Sequence, residues 1–146
     1  MYILKTTAAF DSAHFLSGYD GKCANIHGHH WVIEAKIQGT KLQAGGCEQG
    51  MLIDFGRFKK SVRALADKFD HVLIYECNTL KPQTEEALRS EGFKIVPIPI
   101  RPTAENFAEY FFNILADEGL PMMSVAVYET PDNCAVYEKT LEERIV

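Results

Sequence analysis

One stretch of the chain restricts the fold more than any other, because its residues alternate in polarity. Every second residue from Trp31 to Ile37 is apolar, and the residues at positions 34, 36 and 38 are charged or polar. Successive side chains of a strand point to opposite faces, so this alternation predicts a half-buried antiparallel strand. His27 and His29 have the same parity as Trp31. If the strand extends back to them, both imidazoles lie on its buried face.

Three histidines have a spacing that suits one divalent metal ion. His27 and His29 stand at i and i+2 around Gly28, so an extended backbone lets both bind a metal from the same side. His14 lies at the far end of a first strand, which we predict over residues 2–13. Three nitrogen ligands leave a fourth position open, as in a catalytic Zn²⁺ site and unlike a closed structural one.

An ordinary polar surface is the alternative explanation for any single His-x-His pair. Here four of the five histidines, at positions 14, 27, 29 and 30, lie in one short N-terminal part of the chain. This concentration favours the metal site.

The rest of the sequence predicts two amphipathic helices and two more strands. The helices cover about residues 54–69, beginning after the N-cap Asp54, and about residues 104–119. Alternation predicts the strands around residues 123–128 and 134–137.

The segment between the two helices carries weaker signals. Residues 84–89 predict a short helix closed by Gly92, and residues 93–96 a short strand. The prolines at positions 97, 99 and 102 restrict the backbone around them to an edge strand or an extended connection.

These elements predict an α+β fold in one domain over residues 1–146. The expected architecture is a four-stranded antiparallel sheet with two helices on one face. Such a sheet has two free edges that can pair with other chains, so a homo-oligomer that joins the edges is expected.

Composition excludes some classes of function. The net charge of −5 argues against a nucleic-acid-binding protein, which needs a concentrated basic surface. No apolar run approaches the length of a membrane span, and the first residues lack the pattern of a signal peptide. The four cysteines form no Cys-x-x-Cys pair and are too few for a disulfide scaffold, so reduced thiols in the cytoplasm are expected.

Four further residues suit catalysis or binding, and each has a simpler explanation. Cys23 is either a half-buried small residue or a thiol that a nearby Zn²⁺ draws toward thiolate. His71 either interacts with a helix C-terminus or is an imidazole that Asp70 orients for proton relay. Glu129 lies either at a strand end in solvent or against the two N–H donors of a planar heterocycle. Neither a Gly-x-Gly-x-x-Gly motif nor a P-loop is present, which argues against a nicotinamide cofactor or an ATP-driven step.

The order of these motifs carries a family resemblance. The Cys-x-x-x-His-Gly-His run at residues 23–29 follows an upstream histidine, and the Asp70-His71 pair comes next. Pro-Thr-Ala-Glu-Asn at residues 102–106 and Tyr-Glu-Thr-Pro at residues 128–131 complete the set. Together they resemble the 6-pyruvoyltetrahydropterin synthase / 6-carboxytetrahydropterin synthase family over nearly the whole chain.

The resemblance implies a fold, an assembly and a role for each residue. The fold would be the tunnelling type, with sheets joined around a barrel in a hexamer of two trimers, and with sites between subunits. The substrate would be 7,8-dihydroneopterin triphosphate. Zn²⁺ would be bound by His14, His27 and His29. Cys23 would transfer protons, with Asp70 and His71 as its relay, and Glu129 would anchor the pterin ring with Thr103 and Glu105 near it.

Two branches of the family differ in product. One eliminates triphosphate to give a pyruvoyl pterin. The other also cleaves the side chain, releases acetaldehyde and gives 6-carboxy-5,6,7,8-tetrahydropterin for queuosine (7-deazaguanine) synthesis. The compact chain resembles the second branch more closely. Lys22, Arg57 and Arg101 are candidates for binding the triphosphate, and the sequence does not choose among them.

Two functions of other classes fit some of the same residues. A non-catalytic zinc or pterin-binding module would need no thiol. A simple zinc hydrolase would use metal-bound water on an ester or amide, and it would give Glu129 and the Asp70–His71 pair no obvious task.

Overall fold

A computed structural model gives the architecture of residues 1–140, and those are the residues that the structure describes. The elements in chain order are β1 (Tyr2–His14), β2 (His27–Gly39), α1 (Phe55–Lys68), β3 (Leu73–Glu76), α2 (Pro82–Ser90), β4 (Ile95–Ile98), α3 (Ala104–Asp117), β5 (Met122–Thr130) and β6 (Asn133–Glu138). One short 3₁₀ turn, Lys22–Ala24, lies between β1 and β2. No helix in this part of the chain is long and apolar enough to cross a membrane.

All six strands belong to one sheet in the order β4-β3-β1-β2-β5-β6. β1 pairs antiparallel with β2, β2 with β5, and β5 with β6. β3 runs parallel to both β1 and β4. The α+β class is therefore confirmed, and the sheet is mixed.

The predicted four-stranded antiparallel sheet with two helices is wrong in the number of elements and in their pairing. β3 was missed because it has only four residues, of which Ile74 and Tyr75 are buried next to each other and give no alternation. The parallel pair β3 and β4 needs a crossover, and α2 supplies it. β4 includes Pro97, which an edge strand tolerates.

Helices α1 and α3 begin where the sequence supplies a cap. The Asp54 carboxylate accepts a hydrogen bond from the Arg57 N–H at 3.0 Å, and the Thr103 hydroxyl accepts one from the Asn106 N–H at 3.3 Å. Both helices contribute to a single core with the sheet. α1 packs on β1, and α3 packs on β5 and β6. The helix residues in this core are Phe58, Val62, Leu65, Ala66, Phe107, Ala108, Phe111, Phe112 and Leu115.

The register between β1 and β2 aligns the core with the histidines. Phe10 lies opposite Trp31, and their rings stack at a centroid distance of 6.0 Å. Four residues further along β1, His14 lies opposite His27. The predicted alternation is thus present, and the histidines continue the buried face of the sheet.

We expect Phe111→Ala to lower the free energy of unfolding by about 3–5 kcal/mol, because it leaves a cavity in a close-packed core. Phe111 is 0% exposed and packs against the rings of Phe69 and Phe107. The matched control is Phe55→Ala, where the ring is 59% exposed and the change should stay within about 0.5 kcal/mol. Urea unfolding monitored by circular dichroism measures both. Equal losses in the two variants would contradict this assignment of the core.

Candidate metal centre and active site

Three histidines converge at the end of the buried face. His14 ends β1, while His27 and His29 begin β2, so the strand pairing brings them together. One side-chain nitrogen of each lies within 4.8 Å of the other two. The Nε2 atoms of His14 and His27 are 3.1 Å apart. Two ligands of a tetrahedral Zn²⁺ are about 3.3 Å apart when each Zn–N bond is about 2.0–2.1 Å, so this separation suits a metal ion.

Main-chain carbonyls fix the tautomers of two of these rings. The His14 Nδ1 lies 2.7 Å from the Pro102 carbonyl oxygen, and the His27 Nδ1 lies 2.7 Å from the Asn25 carbonyl oxygen. A carbonyl oxygen only accepts, so each Nδ1 must carry the proton. Both Nε2 atoms then present lone pairs to each other. A cation between them removes that repulsion, and a carbonyl partner of this kind typically orients a metal-binding histidine.

Burial keeps His14 neutral. Its side chain is 1% exposed, and burial lowers its pKa from 6.5 to about 4, against the opposing effect of the Pro102 carbonyl. The neighbouring His27 and His29 contribute to this lowering of the pKa. A neutral imidazole is the form that binds a metal.

His29 supplies the third nitrogen and touches Glu129. Its Nε2 is buried without a hydrogen-bond partner and lies 3.6 Å from Glu129 Oε1. Burial lowers the pKa of His29, while the carboxylate of Glu129 raises it. A buried polar atom left without a partner is unfavourable, and a bound cation would satisfy it. The three residues therefore fit a metal ion.

Asp70 and His71 form a hydrogen-bonded pair next to β1. His71 Nδ1 lies 2.9 Å from Asp70 Oδ2, and Asp70 Oδ1 accepts the Asp11 N–H at 2.8 Å. The Asp11 hydrogen bond, and then that of His71, lowers the pKa of Asp70, while Asp70 raises the pKa of His71. His71 has a φ of 55°, which is unusual for a residue with a Cβ. Its N–H donates to the Asp11 carbonyl at 2.6 Å, which helps to hold this backbone in place.

Two clefts meet at His29. One, of about 720 Å³, is lined by His29, His71 and Lys94 among others. The other, of about 550 Å³, is lined by His29 and Glu129. Gly28, His29 and His30 line both, so His71 and Glu129 lie on two adjoining clefts.

Cys23 lies in the 3₁₀ turn four residues before His27 and is half-buried. Its carbonyl oxygen accepts the Leu16 N–H at 2.8 Å. This bond ties the turn to the segment that follows β1. All four cysteines of the chain are free thiols.

Thr103 and Glu105 lie apart from the two clefts. The Thr103 hydroxyl caps α3, and Glu105 is exposed in the first turn of that helix. Neither residue lines either cleft. Nothing in the sequence indicated that Pro102 and Asn25 would fix the histidine tautomers, because they act through main-chain carbonyls, which every residue has.

A sequence model described as 6-pyruvoyl tetrahydropterin synthase matches residues 3–140. The chain belongs to this family. It is 36% identical over 142 residues to the 6-carboxy-5,6,7,8-tetrahydropterin synthase of Haemophilus influenzae, with 95% of this chain and 100% of that one covered. It is 35% identical over 133 residues to the enzyme of the same name from Rickettsia typhi, with 87% and 92% covered.

The fold is also that of solved members of the family. The Caenorhabditis elegans 6-pyruvoyl tetrahydropterin synthase superposes with a TM-score of 0.68 at 23% identity, covering 95% of this chain and 96% of that one. The predicted family resemblance is therefore confirmed.

Substituting neighbouring histidines tests the metal centre. We expect His29→Ala to lose most of the bound metal, because it removes one of three convergent nitrogens. His30→Ala is the matched control: His30 points to the other face of β2, where its Nδ1 contacts Asp11 Oδ1 at 2.7 Å, so metal should be retained. Metal per chain after gel filtration is measured by mass spectrometry. Equal metal content in both variants would contradict the site.

The lowered pKa of His14 predicts a pH dependence of the metal-free protein. The unfolded chain takes up a proton near pH 6.5, and folded His14 does so only near pH 4. Above pH 6.5 His14 is neutral in both states. As the pH falls toward 4, only the unfolded state gains the proton, so the free energy of unfolding decreases by about 3 kcal/mol. His14→Leu should show a shallower loss of unfolding free energy between pH 6.5 and 4. Parallel curves for the two proteins would contradict the burial of a neutral imidazole.

Proposed function

We propose that this protein is a zinc-dependent 6-carboxy-5,6,7,8-tetrahydropterin synthase. It would convert 7,8-dihydroneopterin triphosphate to 6-carboxy-5,6,7,8-tetrahydropterin, with release of acetaldehyde and triphosphate. The observation that carries the proposal is the triad of His14, His27 and His29, in which two carbonyls leave the Nε2 atoms free for a metal. The identity to relatives that bear this enzyme name supports the product.

Zinc is the proposed metal because three imidazole ligands with an open fourth position are typical of catalytic zinc. When bound, it would act as a Lewis acid that polarises the oxygens of the substrate's side-chain diol. His14, His27 and His29 would hold it. The triad lies at the end of the apolar core, which encloses it on the side of Trp31.

Cys23 is proposed to move the proton at the substrate side-chain carbon. Cys23 is half-buried, and a positioned thiol can give or take a proton in this role. Asp70 would orient His71 through their 2.9 Å contact, and His71 would relay the proton. Glu129 would accept the two N–H donors of the pterin ring in the cleft that it lines beside His29.

The assembly is proposed to be a homohexamer of two trimers, in which the sheets join into a barrel. β4 and β6 end the sheet, so pairing with other subunits is the proposed use of their edges. Glu105 is exposed and Thr103 lies beside it, so both are proposed to reach the pterin of a neighbouring subunit. The chain is proposed to be one domain over residues 1–146 in the cytoplasm, where its free thiols would stay reduced.

A second candidate is the elimination of triphosphate alone to give 6-pyruvoyl tetrahydropterin. The description of the family and the name of the structurally similar Caenorhabditis elegans enzyme favour it. Incubation of the zinc-loaded protein with 7,8-dihydroneopterin triphosphate separates the two. Acetaldehyde with a carboxylated pterin supports the first candidate, and a pyruvoyl pterin without acetaldehyde supports the second. No conversion would contradict both.

We expect Cys23→Ala to reduce kcat for acetaldehyde release by at least about 10²-fold, because a positioned acid–base group contributes that much or more. Zinc content should not change, since the triad stays intact. Cys77→Ala is the control, because that thiol is exposed and plays no part in the proposed mechanism. Full turnover by Cys23→Ala would remove the thiol from the mechanism. A non-catalytic zinc or pterin-binding module would bind pterin with no turnover in any variant.

A further inference from the structure

Arg101 contacts the segment that carries Cys23. Its Nη2 donates a hydrogen bond to the Ser17 carbonyl oxygen at 3.0 Å. Its guanidinium carbon lies 5.9 Å from the centre of the Tyr19 ring, within the range of a cation–π contact. Ser17 and Tyr19 both belong to residues 15–26, the connection between β1 and β2, which we call the thiol segment.

The thiol segment is folded on itself, so a contact at one end affects the other. The Leu16 N–H donates to the Cys23 carbonyl at 2.8 Å, and the Tyr19 N–H donates to the Leu16 carbonyl at 3.2 Å. Gly21 faces the Tyr19 ring so closely that a Cβ there would lie 2.6 Å from Cε1. The Tyr19 ring thus lies against the residue that precedes the turn of Cys23.

The backbone of Arg101 is fixed on the other side by α3. Its carbonyl oxygen accepts the Thr103 N–H at 2.8 Å and the Asn106 side-chain N–H at 2.9 Å. The next residue is Pro102, whose carbonyl oxygen receives the His14 Nδ1–H. Two adjacent residues therefore contact different parts of the site. Pro102 contacts a histidine of the triad, and Arg101 contacts the thiol segment.

We propose that Arg101 is a positioning residue that holds Cys23 at a fixed place relative to the histidine triad. This inference rests on the proposed function of Cys23. A guanidinium suits the task, because its planar fork donates to a carbonyl and covers an aromatic ring at the same time. The Nε of Arg101 is buried without a hydrogen-bond partner, so this edge of the group is enclosed by protein. Because one edge of its guanidinium is enclosed, Arg101 is less suited than Lys22 or Arg57 to bind the triphosphate.

The test uses the full-length, zinc-loaded protein and the variants Arg101→Met, Arg101→Lys and Tyr19→Leu. Arg63→Met is the matched control, because Arg63 is an exposed arginine on α1. Two readouts are taken: hydrogen exchange of the amides of residues 15–26 without substrate, and kcat and KM with 7,8-dihydroneopterin triphosphate. Tyr19 is 48% exposed, so its substitution should be tolerated even if Arg101→Met folds poorly.

We expect Arg101→Met to speed exchange in the thiol segment by at least tenfold, and to lower kcat by up to about 10²-fold with little change in KM, as displacement of a catalytic group does. Arg101→Lys and Tyr19→Leu should show the same changes to a smaller degree, and Arg63→Met should match the wild type. A raised KM with unchanged kcat and unchanged exchange would instead make Arg101 a triphosphate ligand and overturn the proposal. Unchanged exchange overturns it as well, whatever the turnover. The exchange readout needs no substrate, so it remains decisive if the proposed reaction proves wrong.

Discussion

The pairing of β1 with β2 is the constraint on which the rest of the site depends. In this register His14 lies opposite His27, and Ser12 lies opposite His29. A shift by one residue would turn the histidines of one strand to the other face of the sheet. The stacked pair of Phe10 and Trp31, farther into the core, shares the register and is fully buried. Core packing and the metal centre are thus set by the same strand alignment.

Two carbonyls turn this alignment into a site of defined chemistry. The carbonyl oxygens of Pro102 and Asn25 each accept a hydrogen bond from the Nδ1–H of a histidine. The Nε2 atom of each ring therefore stays free to bind a metal. Pro102 directly precedes the N-cap of α3, which packs on β5 and β6. Through this bond the placement of a core helix fixes the orientation of a buried imidazole. The cost of keeping His14 neutral and buried is offset when a cation accepts its lone pair.

The sequence was informative where a pattern repeated along the chain. Alternation placed His27 and His29 on the same face as Trp31. Periodicity with the cap Asp54 placed α1, and periodicity alone placed α3. β3 was missed because its four residues, with two buried side by side, show no period. The carbonyl partners of the histidines were missed because main-chain groups leave no sequence signal. The left-handed backbone of His71 was not predicted either, and the hydrogen bond that helps to hold it comes from Asp11, which is distant in sequence.

The most direct test of the metal centre is zinc K-edge X-ray absorption on the full-length protein loaded with one zinc per chain. We predict a four-coordinate ion with three imidazole nitrogens at about 2.0–2.1 Å and a water oxygen as the fourth ligand. A spectrum without imidazole scattering, or one dominated by sulfur at about 2.3 Å, would contradict a site built from His14, His27 and His29.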